Sequence, residues 1–131
     1  MSEVKTNKLT GTSTAGSILV TGEGNSTTTN LQQGLVKSWC HFNGTVGSVS
    51  FEDSFNKSSI TDVATGRFTT AFTNNMGNAH YAETPSSSYL SGIWDQTNMT
   101  SSSCQIFTAD SPSGALSDRE PTVSVTTGDL A

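Results

Sequence analysis

Short runs in which large apolar residues alternate with serine, threonine or other polar residues, broken about every ten residues by Gly, Asn or Pro, leave this chain one route to a core: β-strands. In GLVKSWCHFNG, Val36, Ser38, Cys40 and Phe42 fall on one face of a strand, and Leu35, Lys37, Trp39 and His41 on the other. Both faces carry apolar residues, so this strand is predicted to be covered on both sides. After the Asn43-Gly44 turn, Val49 and Phe51 read as a second strand, with Phe55 close behind. SSITDVATGRFTTAFT reads as a hairpin that turns at Ala64-Thr65-Gly66 and sets Phe68, Thr70 and Phe72 on one face. NNMGN supplies turn chemistry before a strand in AHYAET, and CQIFTAD and PTVSVTT close the chain as two more. About seven short strands and no convincing helix predict an all-β fold, an antiparallel β-sandwich.

The material for closing such a core is scarce. Leu, Ile, Val and Phe number 25 of 131 residues, or 19%, while Ser and Thr supply 21 each. Charge is scarce too, at 13% of residues and a net −5, so the chain lacks the self-repulsion that keeps many oil-poor sequences unfolded. Its length is that of one ordinary domain. Burial at about 25 cal/mol per Å² must offset backbone ordering of at least ~1 kcal/mol per residue. Association would make up the difference. A closed homo-oligomer is expected to bury second-face residues, Leu35 and Trp39 first among them, and to remove exposed strand edges.

Residues 1–33 differ from the rest. Val4, Leu9 and the run Ile18-Leu19-Val20 are isolated in Thr, Ser, Gly and Asn, with no aromatic residue. Such a stretch cannot form its own core and is expected to be an extended arm that docks on another copy or a neighbouring protein through Val4, Leu9, Ile18, Leu19 and Val20. Residues 34–131 are predicted to form the β-sandwich module.

Several functions are excluded by what the chain does not carry. No apolar run approaches the ~18 to 20 residues of a membrane helix, and MSEVKTNKLT lacks the apolar region of a secretory leader, so cytoplasmic synthesis without membrane insertion is expected. Six Lys and Arg against eleven Asp and Glu, with no basic run, predict no nucleic-acid partner. Cys40 and Cys104 are either buried thiols or one disulfide, and a reducing birthplace favours thiols. Cys40 and His41 are adjacent on a strand and point to opposite faces, as do Glu52 and Asp53, so neither pair makes a metal or acid–base site. His41 and His80 have no partner in any local catalytic motif. No catalytic residue, metal or cofactor is expected.

Beyond Thr84 the connection PSSSYLSGIWDQTNMTSSS holds Tyr89, Leu90, Ile93 and Trp94 as its only large side chains apart from Met99. Tyr89 and Trp94 either fold back to cap the core or stand exposed, offering flat apolar area to a partner or a sugar.

One resemblance extends over most of the chain. It rests on Lys37, Trp39 and Phe42 with Asn43-Gly44-Thr45, then Asp53-Ser54-Phe55-Asn56, Ser58-Ser59-Ile60-Thr61-Asp62, Gly66, Phe68, Phe72-Thr73, Met76, Ala79 and Tyr81, and on Gly114, Asp118 and the Val123-Ser124-Val125 ending. In order and spacing these residues resemble a module of tail-fibre-like and other virion appendage proteins of bacteriophages, marine ones in particular. The opening MSEVKTNKLTGTSTAGSILVTG is similar to N-terminal segments of the same proteins. The chain departs from the pattern at Cys40, where a plain apolar residue is usual, at Thr126-Thr127, where a more apolar strand is expected, and in having no heptad shaft.

The resemblance implies a non-enzymatic virion structural protein, made in the host bacterial cytoplasm. Its arm would bind another phage structural protein of tail or capsid, its module would be a homotrimer, and Tyr89 and Trp94 would meet a host surface glycan or protein. A capsid decoration (cement) or head-fibre protein would use the same parts. A stand-alone carbohydrate-binding module is the third reading.

Overall fold

The computed structural model describes residues 3–11, 18–21, 24 and 26–130. The chain divides into two compact units, Met1–Leu35 and Val36–Ala131.

In the first unit, β1 (Leu19–Thr21) and β2 (Thr28–Asn30) pair antiparallel, with Leu19 opposite Asn30 and Thr21 opposite Thr28. The Leu31 amide extends the ladder by donating to the Ile18 carbonyl at 2.8 Å, and the Asn30 side chain turns the chain after β2 by accepting from the Gln32 amide. Over these residues the expected extended arm is therefore a hairpin. Strands of three residues give little alternation to read, which is why the sequence pattern did not show them. No described residue of this unit is buried, and Val4 is 84% exposed.

The second unit contains eight strands: β3 (Val36–Phe42), β4 (Phe51–Phe55), β5 (Lys57–Ala64), β6 (Arg67–Phe72), β7 (Ala82–Ser87), β8 (Leu90–Ile93), β9 (Ser103–Ala109) and β10 (Thr122–Thr127). They form two antiparallel sheets, β4-β3-β10-β7 and β5-β6-β9-β8, whose inner faces pack together. The strand beyond the expected seven is β8, whose sequence LSGI offers no clean alternation. Val49 lies outside β4 and packs against the core from the preceding loop.

The β5–β6 turn needs glycine. Gly66 has φ +66°, and a Cβ there would lie 2.4 Å from the Thr108 carbonyl oxygen. Its amide donates to Asp118 Oδ1 at 2.6 Å, which ties the turn to the segment leading into β10.

The inner faces supply Cys40, Phe42, Phe68, Phe72, Cys104 and Ile106, joined by Met76 and Tyr81. Phe42 meets Phe68 edge to face with centroids 5.1 Å apart, and Phe72 meets Tyr81 at 5.5 Å. Between these lie hydroxyls: Ser38, Thr70, Thr108, Thr122, Ser124 and Thr126 are all 0% exposed. Register makes this tolerable. Thr126 stands opposite Ser38 and Ser124 opposite Cys40, giving contacts of 2.6 Å and 3.2 Å, while Thr108 and Thr122 donate to the Ser117 and Arg119 carbonyls. A satisfied buried hydrogen bond contributes about 1 kcal/mol, whereas a lone buried hydroxyl costs more than that. The shortage of apolar residues is thus met inside this unit by paired Ser and Thr, and Thr126 belongs to that pairing.

Both cysteines are buried free thiols. Burial pushes the Cys40 thiol above its usual range and the Cys104 thiol up to about 12. The predicted two-sided cover of β3 holds at Lys37, which is buried with its ammonium pulled below the usual range by desolvation, partly offset by Asp129. Cover is partial at Trp39.

Candidate functional site

Residues 67, 69 and 71 of β6 and 103, 105 and 107 of β9 face away from the core, because their neighbours Phe68, Thr70, Phe72, Cys104 and Ile106 face into it. Register pairs Arg67 with Phe107 and Thr69 with Gln105 on this outer face. Beyond Ile93, the Trp94 amide donates to the Gln105 carbonyl at 2.9 Å, so Trp94 continues the β8–β9 ladder and joins the same face.

A small platform results. The Arg67 guanidinium lies 4.5 Å from the Trp94 ring centroid, and Trp94 meets Phe107 edge to face at 6.3 Å. Gly92, opposite Phe107, leaves space for that ring, since a Cβ there would sit 2.7 Å from Phe107 Cε1. Gln105 Nε2 donates to Thr69 Oγ1 at 3.0 Å, while Gln105 Oε1 and Arg67 Nε are buried without a hydrogen-bond partner. Trp94 is 37% exposed. A half-open indole beside a guanidinium offers both an apolar plane and polar hydrogen-bonding edges, the chemistry that suits a sugar ring or an aromatic side chain of a partner.

Tyr89 is 57% exposed and stacks beneath the Arg119 guanidinium, 4.6 Å from its centroid, with Arg119 ion-paired to Asp110. Neither Tyr89 nor Trp94 belongs to the core cluster, so both stand exposed rather than capping it. They are not one site. The four residues of β8 lie between them, and five steps at ~3.3 Å per strand residue place their backbones roughly 16 Å apart.

The other outer face carries the oligomer-interface candidate Trp39. It lies between Phe55 of β4 and Val125 of β10, and Val125 is followed by Thr84 of β7, so an apolar row crosses three strands. Phe55 is 53% exposed and Val125 38%. Leu35, the second candidate, falls in the first unit, where it lines a pocket of about 440 Å³ with Leu9, Thr10, Gly11, Ile18, Leu31 and Gln32. That pocket gathers Leu9 and Ile18 of the expected arm residues; Val4, Leu19 and Val20 are exposed and do not line it.

No family model, curated protein or solved structure matches the chain. Its own surfaces carry the functional argument.

His41 has a partner that the local sequence did not show: its Nδ1 lies 2.7 Å from Glu52 Oε2 on the surface. No group of three His, Cys, Asp or Glu side chains placed to hold a metal occurs among the described residues.

The largest omission of the sequence analysis lies inside the sandwich. Lys57 Nζ sits 3.6 Å from Glu83 Oε1 with both side chains wholly inaccessible. The ammonium donates to Thr70 Oγ1 at 3.0 Å and lies 4.3 Å from the Phe72 ring centroid, and Thr126 Oγ1 donates to Glu83 Oε2 at 2.5 Å. Glu83 was legible: in AHYAET it shares a strand face with Tyr81, an inward residue. Lys57 was hidden by the register shift between Lys57 and Ser59, which breaks the alternation of β5.

Proposed function

We propose that the protein is a non-enzymatic structural protein of a bacteriophage virion, a tail-fibre-like appendage held by its first unit and displaying its β-sandwich to the host surface. The observation that carries this reading is the exposure of Val4, Leu9, Leu19 and Val20 in a unit with no buried described residue. A neighbouring phage protein or a second copy would give these side chains the cover they lack. The resemblance of residues 34–131 to virion appendage modules points the same way. The row Phe55, Trp39 and Val125 suits contact between copies, in a homotrimer on this reading. The Arg67–Trp94–Phe107 platform is the receptor-facing surface, and its composition favours a host glycan over a smooth apolar partner.

Electron cryo-microscopy of purified particles tests the assignment. Density for this chain on the tail supports the appendage, and density at capsid three-fold positions or hexamer centres assigns it to decoration instead. Particles that lack the chain by mass spectrometry would overturn the virion reading altogether.

A further inference from the structure

We propose that Lys57 and Glu83 condense, in the folded protein, into an amide bond that ties the two sheets of the sandwich together. Lys57 opens β5 in one sheet and Glu83 lies in β7 of the other. Nζ and Oε1 lie 3.6 Å apart, which sets the amine beside the carboxyl group yet is longer than a charge-assisted hydrogen bond, which runs about 2.7 to 2.9 Å. The pair therefore holds two desolvated charges without the hydrogen bond that would best compensate them.

The hydrogen bonds around the pair match the product better than the ion pair. Glu83 Oε1, the oxygen nearest Nζ, has no hydrogen-bond partner. Glu83 Oε2 accepts from Thr126 Oγ1, and because the Thr126 proton is committed there, the 2.6 Å contact with Ser38 requires Ser38 to donate to Thr126. Two hydroxyls in series thus point positive charge at Oε2, where an oxyanion would form. Thr70 Oγ1 accepts from Nζ and would go on accepting from the single N–H of an amide.

The step balances without a co-reactant. A proton passes from the Lys57 ammonium to Glu83 Oε1, leaving an amine and a carboxylic acid. The Nζ lone pair attacks Cδ, the C=O electrons move to Oε2, and a second proton passes from nitrogen to Oε1. The Cδ–Oε1 bond breaks, the carbonyl reforms at Oε2, and one water leaves. The atom expelled is the one the interior does not satisfy, and two buried charges disappear with it. Fixed geometry in a dry interior supplies the orientation that makes such a condensation feasible without a dedicated enzyme.

Intact-mass spectrometry of the purified full chain, denatured after incubation in the folded state, tests this directly. The expected mass is lower than that of the sequence by one water. Proteolytic mapping should place the loss in a branched peptide joining Lys57 to Glu83, with no tryptic cleavage after Lys57. Lys57→Arg, which keeps the charge and cannot form this amide, should show the unmodified mass. An unmodified mass for the wild-type chain, or a water loss that maps to any other residue pair, overturns the proposal. The result is independent of where the protein resides, so it neither supports nor damages the virion assignment.

Discussion

Phe42, Phe68 and Ile106 of the second unit are wholly buried, whereas no described residue of the first unit is. Both units draw on the same Ser- and Thr-rich composition. The second uses antiparallel register to set hydroxyl against hydroxyl, Ser38 against Thr126 and Ser124 against Cys40, so that polar residues can occupy an interior. Among its described residues the first has two strands of three residues and no buried side chain. Composition averaged over the chain hides this difference: a shortage of large apolar residues is tolerable where polar groups pair, and exposes apolar side chains where nothing covers them.

The contrast can be broken most severely from the core side. Phe68→Ala removes a fully buried ring at the contact between the sheets and should cost about 3 to 5 kcal/mol in denaturant unfolding. A loss below 1 kcal/mol would mean that the sheets do not rely on this contact. Thr126→Val keeps volume but strands Ser38 Oγ and Glu83 Oε2, and should cost about 1 to 3 kcal/mol by the same measurement.

Alkaline pH probes the interior without mutation. The folded Cys104 pKa of about 12 lies above the 9.0 of an ordinary thiol, so the unfolded chain loses its proton first as pH rises. This contribution is fully present below pH 9 and is lost between pH 9 and about 12, and Cys104→Ala should flatten the decline. The native protein should also resist thiol reagents at pH 8 and react at both cysteines only once unfolded.

The smallest stability effect belongs to the first unit. Leu19→Ser with Val20→Ser should shift the main unfolding transition by about 0.5 kcal/mol or less while reducing, on the proposed reading, incorporation into particles. At the platform, Trp94→Ala should leave folding nearly unchanged and, on the proposed virion reading, reduce adsorption of particles to host cells, scored by depletion of free phage.

Much of the second unit was legible because period-2 alternation reports which side of a strand is buried. Phe68, Thr70 and Phe72 face inward as their spacing dictates, and Gly66 turns the hairpin where expected. What escaped depended on pairing between distant residues. β8 has only four residues with no clean alternation, the Trp94 platform needed β6 and β9 to bring Arg67, Gln105 and Phe107 beside it, and the Phe55–Trp39–Val125 row needed the order of β4, β3 and β10. Single-strand patterns hold no information about such order. The buried Lys57–Glu83 pair escaped for both reasons, a local register shift and a long-range contact.

Hydrogen–deuterium exchange of the full chain, dilute and, if the proposed reading holds, in assembled particles, tests most directly whether the second unit supports itself while the first depends on a neighbour. β3, β6, β9 and β10 should be protected in both states, and the amides of Leu19–Thr21 and Thr28–Asn30 only on assembly. Protection of those first-unit amides in the dilute monomer, equal to that of β6, would contradict the account.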